Sequence, residues 1–195
     1  MKILVILGHP DAQSFNHAIF ATYAKNISPE NEVKTLDLGE LKFDPVLRFG
    51  YREIMRSDAE VENSRKLVKW ADKIVFVYPI WWSSMPSLLK GWLDRVLTPQ
   101  FAYVHEKTGM RGLLAATAEL WLTCDAPAIY YKTFDKTPVN LMKKDILASC
   151  GIKVSRVKIF GNTRNSTAEA REQWLAKVAA AARANGENGV KKEGK

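Results

Sequence analysis

The sequence predicts a doubly wound α/β fold: a five-stranded parallel sheet in the order 2-1-3-4-5, with helices on both faces. Three observations carry that expectation. Short, nearly continuous apolar runs recur along the chain, as parallel strands covered on both faces require. Each run gives way to a stretch of helical spacing, with no internal repeat and no linker. Two loops of unusual composition, 8–16 and 79–85, follow the first and third strands. In this strand order those two strands flank the switch point, the crevice where open parallel sheets take ligands.

Lys2–Leu7 is the first run, apolar from Ile3 onward, and reads as a central strand. Ser14 is placed to cap a helix reaching about Asn26. Glu32–Leu38 alternates and carries charge, so it reads as a strand nearer an edge. Leu41–Arg56 has no clean period and contains Asp44-Pro45, which marks a long loop. Ser57 with Glu60 forms a capping box for a helix to about Ala71, and Lys73–Tyr78 is the third strand. Pro86 suits the first turn of the next helix, whose Leu88, Leu89, Trp92, Leu93, Val96 and Leu97 make a packing stripe. Ala115–Thr123 is the fourth strand. Thr137-Pro138 opens a helix that Gly151 closes, and Ile152–Phe160 is the fifth strand. A second capping box, Ser166 with Glu169, starts an Ala-rich helix to about Ala184. Residues 1–185 thus read as one domain and 186–195 as a flexible polar tail.

A chain of 195 residues, 47% of them hydrophobic, can bury one sizeable core. Its two cysteines, Cys124 and Cys150, form no CxxC or Cys/His cluster, which argues against a disulfide framework and a thiolate metal site. The N-terminal apolar run, Ile3–Leu7, is too short for a signal peptide and is followed by Gly-His-Pro-Asp. No apolar run approaches the roughly 20 residues a bilayer span needs. A soluble, cytoplasmic protein is expected. The net charge of +8 comes from 29 Lys and Arg against 21 Asp and Glu, scattered without a basic stripe. That argues against a nucleic-acid module and suits an anionic cofactor such as a nicotinamide dinucleotide phosphate.

The chemistry concentrates in two loops. Pro79-Ile80-Trp81-Trp82-Ser83-Ser84-Met85-Pro86 puts two adjacent tryptophans just past a buried strand, a poor place for core residues. Aromatic walls and loop amides there suit a flat, hydrogen-bonding heterocycle, although a packing plug or subunit contact would use tryptophan as well. The first loop, GHPDAQSFNHA, ends at a helix N-terminus, where a phosphate binds readily, and adds His9, Ser14 and Asn16. It is neither a GxGxxG nor a Walker loop, and Ser14 alone would also serve as a simple cap. Trp92 lies on the packing stripe and reads as core. Cys124 reads as a small buried hydrophobe rather than a redox group.

GHPDAQSFNHA, FDPVLRFGY, YPIWWSSMPSLLKGWLDRVLTPQFAY, TCDAPAIYY and LASCGIK, in that order, resemble the NAD(P)H:quinone oxidoreductase family of flavodoxin-like flavoproteins. The resemblance covers about residues 1–165, and its most discriminating part is the PxWW…P..LKGW.DRV…FAY string. It implies a flavodoxin-like homodimer that binds flavin non-covalently, FAD in preference to FMN, and moves hydride from NAD(P)H to a quinone-like acceptor by ping-pong turnover. By resemblance His9, Ser14, Phe15 and Asn16 hold the flavin phosphates and neighbouring groups. Pro79, Ile80, Trp81 and Trp82 line the ring through backbone amides and ring contact, and Thr123, Asp125 and Ala126 approach its pyrimidine edge. Trp82, Phe101 and Tyr103 wall the substrate pocket, the last two from the partner subunit.

The chain departs from that pattern at Thr123-Cys124-Asp125-Ala126, where the family carries Thr-Thr-Gly-Gly. Losing the glycines restricts the backbone's approach to a ring, and Asp125 brings a carboxylate nearby. Tyr130 and Tyr131 are the candidates for a catalytic hydroxyl. Two other roles compatible with such a fold are an ancillary, regulatory subunit of a potassium-efflux transporter and a flavodoxin-type electron carrier. Carriers of that type are usually acidic, which this chain is not.

Overall fold

The computed structural model describes residues 1–53, 55–56, 58–107 and 109–185. In chain order the elements are β1 (Lys2–Leu7), α1 (Phe15–Lys25), β2 (Glu32–Asp37), α2 (Ala59–Trp70), β3 (Lys73–Pro79) and α3 (Ser87–Val96). They continue with β4 (Tyr103–Glu106), β5 (Gly109–Gly112), β6 (Thr117–Thr123), α4 (Ala128–Thr133), α5 (Thr137–Asn140), β7 (Lys153–Phe160) and α6 (Ala168–Arg183). Five strands form one sheet, β2-β1-β3-β6-β7, every pair parallel. With the β4–β5 hairpin set aside, this is the expected order 2-1-3-4-5.

Alternation along the strands explains why both faces are covered. Leu4 and Ile6 of β1 join Ile74, Phe76, Leu120 and Leu122 in a core that packs on α2 and α3 through Val61, Val68, Leu89 and Trp92. Ile3, Val5 and Leu7 point the other way, to Ile19, Tyr23 and Val178 of α1 and α6. β2 and β7 are the edge strands, and most residues of β2 are exposed. Trp92 is buried as expected, its indole N–H donating to Ser64 Oγ at 3.0 Å.

The starts of α2 and α6 differ from expectation by one residue. Asp58 caps α2, its carboxylate accepting from Val61 N at 2.8 Å; Ser57 lies outside the described residues. Thr167 caps α6, accepting from Ala170 N, while the Ser166 hydroxyl donates to Thr163 O at 2.7 Å and accepts from Arg171 Nε at 2.8 Å. The helix expected over residues 137–151 is less regular than its sequence suggests. It opens as α5, widens to a π-helix over Leu141–Leu147, tightens to a 3-10 turn over Ala148–Cys150, and ends at Gly151 with φ of +88°. The tail expectation, residues 186–195, falls outside the described residues.

Residues 41–53 and 55–56 lie in the expected long loop, and α3 explains how it is held. Arg95, buried on that helix, donates to the carbonyls of Asp44 and Arg56 and lies 3.7 Å from Asp58 Oδ2. Gly91, one turn back, faces Pro45 so closely that a side chain there would overlap the loop backbone. The glycine of the LKGW string is therefore a packing residue.

At the amino end of the sheet, Glu119 of β6 is almost fully buried. It accepts from Tyr23 Oη (2.9 Å), Trp121 Nε1 (3.2 Å), Lys73 Nζ (3.3 Å) and Arg156 Nη1 (3.3 Å). Asn185 closes this network by donating to Tyr23 Oη at 2.8 Å, which ties the end of α6 to the sheet. Among the described residues no helix is long and apolar enough to cross a membrane.

Candidate active site

A cavity of about 640 Å³ opens at the carboxyl ends of β1, β3 and β6, at the switch point. Four loops wall it.

The β1–α1 loop contributes His9, Asp11, Ser14, Phe15 and Asn16. His9 Nδ1 accepts from Asp11 N at 3.0 Å, which places the imidazole proton on Nε2. Burial holds its pKa below the ordinary 6.5, so near neutrality it is an uncharged donor. Ser14 caps α1 by accepting from His17 N at 3.2 Å, leaving its own O–H to donate elsewhere. Asn16 is buried, and its Nδ2 donates to Thr123 Oγ1 at 2.9 Å, joining the start of α1 to the end of β6.

The β3–α3 loop contributes Pro79, Ile80 and Trp81. The Trp81 ring meets His9 edge-on, with centroids 5.4 Å apart. Its amides are not available in the way the sequence suggested. Pro79 has no N–H, Ile80 N donates to Thr123 O at 2.7 Å, and Trp81 N donates to Ser84 O at 2.9 Å. This stretch can offer a ring apolar contact more than backbone donors. Trp82 does not line the cavity; it sits beside it in a tight turn, its side chain 101% exposed.

The β6–α4 loop contributes Thr123, Cys124, Asp125, Ala126 and Tyr131. Asp125 Oδ1 accepts from Arg164 N at 3.2 Å, so the carboxylate that replaces a family glycine is tied by a neighbouring loop amide. The Cys124 thiol donates to Ala126 O at 3.2 Å, and burial pushes its pKa up to about 11. A thiol that protonated is a packing group, not a nucleophile. Of the two candidate tyrosines, Tyr131 reaches the cavity, and burial raises its hydroxyl above the ordinary 10.0. Tyr130 stands outside, in edge-on contact with the Tyr131 ring at 5.1 Å.

The β7–α6 loop and the first turn of α6 supply residues that the sequence reading missed: Thr163 and Arg164 from the loop and Arg171 from the helix. Arg171 donates from Nε to Ser166 Oγ (2.8 Å) and from Nη2 to Thr163 O (3.0 Å). Its guanidinium lies 5.5 Å over the Phe15 ring. No motif marks these arginines; only their place after the fifth strand, at a sheet end already suspected, could have drawn notice.

Phe101 and Tyr103 are not brought here within one chain. Phe101 lies under Arg65, 5.7 Å from its guanidinium, and Tyr103 opens the β4–β5 hairpin edge-on to His105. The volume lies in the range of cofactor and ligand sites. The lining combines the aromatic rings of Phe15 and Trp81 with the N-terminus of α1, the His9 Nε2–H and two arginines, the last three being groups that suit phosphate. The donor set therefore fits a phosphorylated aromatic cofactor. Among the described residues no group of three or more His, Cys, Asp or Glu could hold a metal ion.

A family profile described as flavodoxin-like fold matches residues 1–184. A protein of Haemophilus influenzae, named as an uncharacterised NAD(P)H oxidoreductase, is 32% identical over 186 residues, covering 90% of this chain and 91% of its own. The chain belongs to the flavodoxin-like NAD(P)H:quinone oxidoreductase family. Within that family, the mouse ribosyldihydronicotinamide dehydrogenase [quinone] is 27% identical over 208 residues, covering 90% of this chain and 87% of its own. The crystal structure of Smu.1420 from Streptococcus mutans UA159 superposes with a TM-score of 0.85 at 38% identity, covering 94% of this chain and 99% of that one.

Proposed function

We propose that this chain is a flavin-dependent NAD(P)H:quinone oxidoreductase, FAD being its cofactor in preference to FMN. The observation that carries the reading is the switch-point cavity, which combines an aromatic wall with a helix N-terminus and two arginines. His9 Nε2–H, the Ser14 hydroxyl and the Arg171 and Arg164 guanidinia would hold phosphate. Phe15, Ile80 and Trp81 would exclude water from the ring, and Thr123, Asp125 and Ala126 would border its polar edge.

When bound, the flavin supplies two-electron hydride chemistry between nicotinamide and acceptor. The chain's part is to position, desolvate and supply donors where negative charge develops. Tyr131, held protonated, is the hydroxyl best placed to donate a hydrogen bond to the acceptor oxygen. Trp82, exposed beside the cavity, would cover the acceptor ring. Phe101 and Tyr103 would complete that wall only from a second copy, so the working form is a homodimer. A cytoplasmic location accords with NAD(P)H as reductant.

The test is an absorption spectrum of the purified protein, release of the cofactor by heat for comparison with FAD and FMN, and anaerobic addition of NADH and NADPH. A yellow protein bleached by either nicotinamide, with parallel reciprocal plots for a quinone, is expected. A colourless protein that takes up neither flavin would refute the assignment.

A further inference from the structure

The turn Trp81–Ser84 is held in a conformation that its residues disfavour. It is closed from both sides, Trp81 N donating to Ser84 O and Ser84 N to Trp81 O, each at 2.9 Å. Its two central residues have φ of +50° (Trp82) and +52° (Ser83). Two consecutive left-handed residues make the hairpin turn that Asn-Gly or Gly-Gly favours. Neither residue here is glycine, and a bulky side chain in that region is strained. Strain of this kind persists only where the surroundings impose it, and it clusters at functional sites.

One side-chain contact is placed to impose it. Ser83 Oγ donates to Asp135 Oδ2 at 2.6 Å, across 52 residues of sequence. Asp135 is itself fixed: its Oδ1 accepts from Thr137 N and its own N–H donates to Tyr130 O, both at 3.0 Å. The same serine acts on the Tyr131 hydroxyl, holding its pKa down against the rise that burial causes. Ser83 therefore joins two walls that leave different strands, the tryptophan turn after β3 and the α4 segment after β6.

We propose that Asp135 is a positioning residue of the active site: through Ser83 it fixes the Trp82-bearing turn against Tyr131, so that both residues meet the acceptor ring as one preformed edge. The identity of the acceptor rests on the functional reading above; the clasp itself does not. The hydroxyl must be serine's or its equivalent, because among the described residues Asp135 reaches the turn by a hydrogen bond through Ser83 alone. Asp135 touches no reacting atom, so its effect belongs on acceptor recognition rather than on the chemical step.

The experiment compares Asp135→Ala, Ser83→Ala, the double variant and Asp135→Asn with the wild-type flavin-loaded protein. Amide hydrogen exchange at Trp81 and Ser84 should accelerate about tenfold in each single alanine variant, while the sheet amides keep their protection. The acceptor KM should rise about fivefold, with kcat and flavin affinity held within about twofold. The double variant should be no worse than either single one, since both remove the same link. Asp135→Asn, which keeps an acceptor oxygen, should recover part of both effects. Wild-type exchange rates in the alanine variants would overturn the proposal. So would faster exchange with an unchanged acceptor KM, or additive effects in the double variant. If the wild-type protein takes up no flavin, the functional reading and the acceptor part of this proposal both fall, and the exchange rates still decide whether Asp135 holds the turn.

Discussion

Gly91→Ala sets two effects of opposite sign against each other, and the structure says which wins. In an open helix the replacement would stabilise by about 1 kcal/mol, because alanine loses less backbone freedom on folding. At this position in α3 an added Cβ would lie 2.6 Å from the Pro45 carbonyl oxygen and closer still to the Pro45 Cβ. Ordinary contact begins near 3.5 Å, so the loop would have to withdraw by about 1 Å. Withdrawal disturbs Arg95, which is only 3% exposed and donates to the carbonyl of the adjacent Asp44. A weakened hydrogen bond from a buried guanidinium costs about 1.5–3 kcal/mol. The overpacking itself adds about 1–3 kcal/mol. Net of the helix gain, Gly91→Ala should destabilise the protein by about 1.5–5 kcal/mol. Urea denaturation followed by far-UV circular dichroism measures this directly. A variant as stable as wild type, or more stable, would show that the loop is free to move and that Gly91 is not there for close packing.

Trp82→Ala removes a fully exposed side chain, so the urea midpoint should stay put while the acceptor KM rises several-fold; an unchanged KM would remove Trp82 from the site. Arg171→Ala should weaken flavin uptake about tenfold and flatten its salt dependence, read by fluorescence titration at two ionic strengths. His9 sets a pH effect of definite sign. Its folded pKa lies below the ordinary 6.5, so the unfolded chain takes the extra proton first as pH falls. The stability it contributes is complete above that value and declines as pH drops below it. His9→Gln should shallow the fall in Tm between about pH 7.5 and about pH 5.5; an identical fall in both proteins would refute the assignment.

What the sequence made legible and what it hid divide along burial. The three central strands stood out because strands covered on both faces must be continuously apolar, as Ile3–Leu7 and Ile74–Tyr78 are. The α4 helix left no pattern to read: none of its residues is buried, and its apolar Ile129 and Tyr130 lie exposed. The β4–β5 hairpin is four residues a side, too short for alternation to register. The cap correction at α6 has a local cause. A serine one residue early can look like a cap, but Ser166 already has Thr163 O as its partner. At the site, the motif residues His9, Ser14, Phe15, Asn16, Pro79, Ile80, Trp81, Thr123, Asp125 and Ala126 line the cavity and Trp82, Phe101 and Tyr103 do not, whereas Arg164 and Arg171 line it with no motif, because their place there exists only once the sheet is assembled. The resemblance also assigned Ile80 and Trp81 amides that the chain uses for itself. Amide availability depends on long-range pairing, such as Ile80 N to Thr123 O, that no local pattern records.

Those internal pairings change what the cavity can do. The loops after β1, β3, β6 and β7 are stitched to one another: Asn16 to Thr123, Ile80 N to Thr123 O, Thr163 Oγ1 to Cys124 O, Arg164 N to Asp125, and Asn162 N to Ala126 O. Each of these bonds forms on folding, so the entropy of ordering the rim is incurred then and not when a cofactor arrives. A rim braced in this way is preorganised, and its recognition falls to groups whose hydrogens are not already engaged across it. His9 Nε2–H, the Ser14 hydroxyl proton and the outer faces of the two arginines are such groups, and all of them favour anionic oxygen. The ring end of the cavity, with Ile80 and Trp81 committed to neighbours, is left to shape and apolar contact. Affinity for a flavin should therefore reside mainly in its phosphates, and a phosphate-free flavin should bind far more weakly than its loss of contact area alone would explain. Titrating riboflavin against FMN and FAD by fluorescence quenching separates the two contributions, and equal affinity for all three would contradict this division of labour.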